Sequence, residues 1–160
     1  MACDIHWFVE KRVDGAWTCV WPECYADREE VREEQQVDFP GRWVSGDEHW
    51  RLIDEMLHSA LRPNRNYSLF AILADERNDS HVEPICAPRG FPPDASPFPQ
   101  WESRRMGDDG HSHSYFALQE LLDANWDQST YVGDFTDVTL PALQELGPVE
   151  NIRVVFFFDN

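Results

Sequence analysis

From position 4 to position 12 apolar and polar residues alternate: Ile5, Trp7 and Val9 fall on one side of an extended chain, and Asp4, His6, Phe8 and Glu10 on the other. Asp14-Gly15 follows as a turn signal, and residues 17 to 21 resume the β-favouring composition, so the stretch predicts a β-hairpin closed before Pro22. The other end of the chain has a different pattern. Residues 152 to 158, Ile-Arg-Val-Val-Phe-Phe-Phe, are apolar almost without interruption, which predicts a central strand covered on both faces. It is expected beside the first strand, with Asp159 at a strand edge.

Between these strands the period lengthens. Trp50, Ile53, Met56, Leu57, Ala60 and Leu61 recur at three- and four-residue spacing, predicting a helix capped by Ser45 or Asp47 and stopped by Pro63. Leu69, Phe70, Ile72 and Leu73 predict a short helix over 67 to 76, or a buried strand, since so short an apolar run leaves the period open. Ser114 is read as the cap of a helix from Tyr115 to about Ala124, and Thr139 or Pro141 as the start of a last one closed by Gly147-Pro148. Residues 79 to 107, with six prolines, read as a long loop whose Phe91, Phe98 and Trp101 pack back on the body. These elements define a single domain over residues 1 to 160. The fold class is α+β, a small, mainly antiparallel sheet (N-terminal hairpin plus C-terminal strand) packed by three or four short helices, with parallel pairing of the two terminal strands left open.

Charge narrows the function classes. Thirty acidic against thirteen basic residues give a net charge of -17, which repels phosphate backbones and anionic membranes and disfavours direct nucleic-acid binding. The acidic run from 23 to 42 is the expected contact surface for any protein partner. No apolar run approaches the roughly 18 residues of a spanning helix, and Met1 to Asp4 lack a signal-peptide pattern, so the expected location is cytoplasmic. The four scattered cysteines read as buried free thiols, and His49 and His58 as surface or boundary histidines.

Candidate chemistry rests on two short spacings. Side chains two apart in an extended chain point the same way, about 6.5 Å apart, so Asp4 with His6 and His111 with His113 can each offer two ligands to one ion. Together they form a nitrogen-rich set suited to zinc, manganese or iron. Asp109 and Glu10 are candidates for the catalytic base or for orienting a ligand. A metal-free polar site, or histidines with a purely structural role, are the alternatives. Six arginines lie between positions 62 and 105, and of these Arg65, Arg77 and Arg89, with Tyr67, are candidates for binding an anionic substrate. They also suffice to balance Asp75, Glu76 and Asp79.

The segments Cys3-Asp4-Ile5-His6, Arg65-Asn66-Tyr67, Pro88-Arg89-Gly90, Asp109-Gly110-His111-Ser112-His113-Ser114 and Phe158-Asp159-Asn160 resemble an uncharacterised family encoded mainly by bacteriophages and prophages. The resemblance implies a phage accessory protein in a bacterial cytoplasm and brings no activity or site residue with it. Two functions are therefore expected from different classes. One is a small metal-dependent hydrolase, phosphoesterase-like, acting on a nucleotide-like substrate. The other is a non-catalytic acidic protein that inhibits a host defence protein or sequesters a signalling nucleotide.

Overall fold

The computed structural model describes residues 2–21, 24–27, 39–128 and 131–160. Its main sheet has four strands, all antiparallel: β1 (Asp4–Val13), β2 (Ala16–Cys19), β5 (His111–Ala117) and β6 (Ile152–Asp159), in the order β2-β1-β6-β5. A separate parallel pair, β3 (Cys24–Ala26) and β4 (Arg42–Val44), lies apart from it. Five short α-helices complete the described fold: α1 (Gly46–Leu57), α2 (Tyr67–Ala74), α3 (Pro97–Met106), α4 (Leu118–Asp123) and α5 (Leu140–Gln144).

The hairpin forms because Asp14 and Gly15 both take positive φ, 51° and 82°, as a two-residue turn between right-twisted strands requires. Beyond it β6 is central, and every residue from Ile152 to Phe158 is buried. The two terminal strands run antiparallel, with Asp4 opposite Asp159 and Lys11 opposite Ile152, so both ends of the chain meet at one end of the sheet.

The sheet has two covered faces. Ile5, Trp7 and Val9 of β1 and Ile152, Val154, Phe156 and Phe158 of β6 join the main core with Leu69, Phe70 and Leu73 of α2, Leu118 and Leu121 of α4, and Leu143 of α5. Each fully buried Phe or Leu there contributes roughly 1.5–3 kcal/mol relative to exposure. On the opposite face Phe8 and Phe157 pack against Phe98 of α3 and Phe91 before it. Trp101, 2% exposed, continues this layer to Tyr25 and Phe39.

Four local expectations are corrected. The proline-rich stretch contains α3, because Pro97 and Pro99 lie in its first turn, where the missing N–H costs nothing. Ser114 is not a helix cap: it is a buried residue of β5, and the helix begins only at Leu118, where the Glu120 carboxylate accepts from the Ala117 N–H at 2.8 Å. Tyr115 and Phe116 therefore serve the sheet. Helix α1 has its Ser45 cap, with Glu48 N–H donating to Oγ at 3.2 Å, but ends at Leu57 rather than Leu61. Trp50, assigned to its apolar stripe, is 60% exposed, whereas His49, assigned to the surface or boundary, is 8% exposed against Tyr25. Most of the acidic run from 23 to 42 lies outside the described residues.

Candidate metal centre

Two residue clusters occupy opposite faces of the sheet at the end where β1 starts and β6 stops. The division between them originates in β5. Its register against β6 slips between His111 and Ser114, and Ser112 takes a positive φ of 52°. A bulge of this kind adds a residue and breaks the two-residue alternation. His111 is thus opposite Phe158 and its ring stacks on Phe158 at 6.3 Å, on the main-core face. His113 stacks on Phe157 at 5.2 Å, on the other face.

The core-face cluster is Cys3, Glu76 and His111, whose ligand-type atoms all lie within 4.8 Å of one another, the one such group of three among the described residues. Cys3 precedes β1 in the alternation that buries Ile5 and is itself fully buried. Glu76 arrives from α2, whose end is turned by the left-handed Asp75 (φ 62°), with the Asp75 N–H reaching back to the Ala71 carbonyl at 2.9 Å. His111 Nδ1 lies 3.3 Å from Glu76 Oε1 and 3.1 Å from Ser112 Oγ, and the Ser112 hydroxyl donates to the same Glu76 oxygen. The other ring nitrogen of His111, Nε2, is buried and has no hydrogen-bond partner.

Burial pushes the Cys3 thiol above its ordinary pKa, opposed by a hydrogen bond from Arg77 and reinforced by the neighbouring Glu76 charge. The thiol is therefore held protonated unless a cation arrives. Tyr67 Oη accepts from the Cys3 N–H at 3.3 Å, and Arg77 donates to Asn160 Oδ1 at 3.1 Å.

This donor set suits a borderline-soft divalent ion. Tetrahedral zinc, with bonds of about 2.0–2.3 Å, spaces its ligand atoms by roughly 3.4–3.8 Å; Glu76 and His111 already approach to 3.3 Å, and all three groups lie within 4.8 Å. A thiolate in the set favours zinc over manganese or magnesium. With three protein ligands an ion would keep a further position for water or substrate, and the side chains of Glu76 and His111 are 20% and 29% exposed.

The opposite cluster centres on His6. Its ring stacks flat on Phe157 at 4.4 Å, Nε2 lies 3.0 Å from Asp159 Oδ2, and Nδ1 lies 3.9 Å from Glu102. Glu102 is held by Arg105 at 2.6 Å and 3.1 Å, which raises the Arg105 pKa. His113 Nε2 contacts Ser103 Oγ at 2.7 Å, and burial, with His111 nearby, lowers its pKa. A ring kept neutral on an aromatic face is well suited to packing.

Of the four expected ligands, only His111 joins the triad. Asp4 forms a bidentate pair with Arg65 on the surface, and its N–H donates to Asp159 Oδ1 at 3.1 Å. Asp109 is exposed in a short 3₁₀ turn after α3. Glu10 is fully buried in structural bonds, accepting from Arg153 Nε at 2.5 Å and from the Ser96 N–H at 2.7 Å. Arg153 continues to Asp94 at 2.7 Å. Arg89 clamps Glu120 with two bonds of 2.9 Å and the Tyr115 carbonyl with a third, so it braces β5 to α4. Tyr67 and Arg77 are the substrate candidates that do reach Cys3. Glu76 carried no distinguishing signal among thirty acidic residues; Cys3 was legible only as a thiol beside Asp4.

No family model, curated protein or solved structure matches this chain.

Proposed function

We propose that the protein is a small zinc-dependent hydrolase of an anionic substrate, in keeping with a phage accessory protein acting in a bacterial cytoplasm. The observation that carries the reading is the convergence of Cys3, Glu76 and His111 within 4.8 Å, beside the cationic Arg77. Cys3, Glu76 and His111 would hold the ion, which when bound would supply a water of lowered pKa for hydrolysis. Arg77 would meet the substrate's negative charge. A phosphoester is the substrate class that combines the anion with a hydrolysable bond.

The net charge of -17 favours a second reading, a non-catalytic inhibitor of a host protein through the acidic run that includes Glu29, Glu30, Glu33 and Glu34. One experiment separates the two. Tag-free protein is assayed on bis-p-nitrophenyl phosphate and on nucleotide phosphoesters, with added zinc, with chelator, and as Cys3→Ser. Zinc-dependent turnover lost in Cys3→Ser supports the hydrolase. Absence of turnover by the zinc-loaded chain removes it.

A further inference from the structure

Away from the Cys3 cluster, a cleft of about 250 Å³ opens between α1 and the β1 side of the sheet. Its walls are mostly apolar: Phe8, Trp21, Tyr25, Trp50, Ile53 and Phe98 are prominent among them. Charged groups are few, and two of them, Glu102 and Arg105, neutralise each other through their paired hydrogen bonds. Arg62 is different. It is half-buried, and its guanidinium makes a single hydrogen bond, to the Ile5 carbonyl at 3.1 Å, with no carboxylate within 4 Å among the described residues. A guanidinium has five N–H donors, so most of this one's capacity is unused in a place where desolvation already disfavours its charge, and burial lowers its pKa accordingly.

Arg62 also stands where three clefts meet, since it lines the aromatic one and two more polar neighbours of about 530 and 640 Å³. Trp50, on the rim of the first, holds its indole 60% exposed. A large exposed ring and a half-buried guanidinium with unused donors, lining one cleft, define a ligand by its chemistry: a flat apolar ring system ending in a single negative charge. The volume is just below the roughly 300 Å³ at which drug-sized ligand clefts begin, which limits the ring system to one or two fused rings. Asp4 and Asp159 line the adjoining polar cleft with Arg62 and Arg65, a balance that suits a monoanion better than a phosphate dianion.

We infer that the cleft under α1 is a binding site for a small aromatic carboxylate, the ring lying among Trp50, Tyr25 and Phe98 and the carboxylate on Arg62. The anion would take up the free guanidinium donors as charge-assisted bonds, and the rings would stack on the rim indole. This site is separate in residues and in chemistry from the proposed zinc site, so either can fail alone.

The test uses the full chain, purified without a tag, titrated with 2-naphthoate and indole-3-acetate by calorimetry and by ligand-observed NMR. Saturable one-site binding is expected, with 2-naphthamide at least about tenfold weaker for want of the charge. Arg62→Met is expected to remove that acid-over-amide preference, and Trp50→Ala, at an exposed position, to weaken acid and amide together. Failure of all these compounds to saturate at millimolar concentration overturns the inference. So does equal affinity of wild type for acid and amide, a comparison that needs no variant to fold. Tighter binding of adenosine monophosphate than of either carboxylate overturns the assignment of the anion.

Discussion

His111 and His113 are two residues apart on one strand and stack on adjacent residues of the next, Phe158 and Phe157, from opposite faces of the sheet. The bulge at Ser112 is the cause, and it determines which histidine can meet Cys3.

The bulge makes a backbone prediction. Ser112 holds φ at 52°, a region that glycine enters freely and a β-branched residue resists. Ser112→Gly is expected to stay within about 1 kcal/mol of wild type, backbone relief offsetting the lost bond to Glu76. Ser112→Val is expected to destabilise by about 2 kcal/mol or more relative to Ser112→Gly, read from urea unfolding. Equal stability of the two variants would argue against the bulge.

Glu10 was a candidate catalytic carboxylate, and the fold gives it a different task. It is buried against Arg153 and the Ser96 N–H, so removing it leaves the desolvated guanidinium with only the exposed Asp94 as its carboxylate partner. Glu10→Ala is expected to cost about 3–5 kcal/mol in stability. Its zinc content, measured below its unfolding transition, is expected to match wild type.

Asp94 gives a pH prediction. The hydrogen bond from Arg153 holds its carboxyl below the usual Asp pKa. A carboxylate whose folded pKa is depressed contributes stability that is complete above the unfolded value of about 3.9 and is lost as pH falls through the folded one. Asp94→Asn is expected to reduce the loss of stability on acidification below about pH 4, measured as unfolding midpoint against pH. An unchanged acid limb would show that the pair carries no linkage.

Much of the architecture was legible because its signals are local. Seven consecutive buried positions in β6 and the Asp14-Gly15 turn specify a central strand and a hairpin with little help from tertiary context. Pro97 and Pro99 misled because a proline in a first helical turn and a proline in a loop look alike without the neighbouring backbone. Tyr115 and Leu118 have helical spacing, yet pairing of β5 with β6 overrides it up to Ala117. For the site, His111 was readable and its partners were not. Extended geometry puts residues two apart on one side, a rule that a single positive φ at Ser112 reverses, and nothing in the local sequence of Glu76 marks it as the group that the end of α2 delivers to Cys3.

Binding to the folded chain alone stabilises it by mass action, about 2.7 kcal/mol at a hundredfold excess over the dissociation constant. Zinc is therefore expected to raise the melting temperature and chelator to reverse it, with both effects absent in Cys3→Ser. A wild-type melting temperature indifferent to zinc and to chelator would count against a folded-state site.

In the proposed zinc site the ion is held by His111 and not by its neighbour two residues on. The direct measurement is zinc per chain, by elemental analysis after dialysis, for tag-free wild type, His111→Ala and His113→Ala. About one zinc per chain is expected for wild type and for His113→Ala, and well under one for His111→Ala, which loses a direct ligand. Equal zinc content in the two variants, or none in wild type, would contradict it.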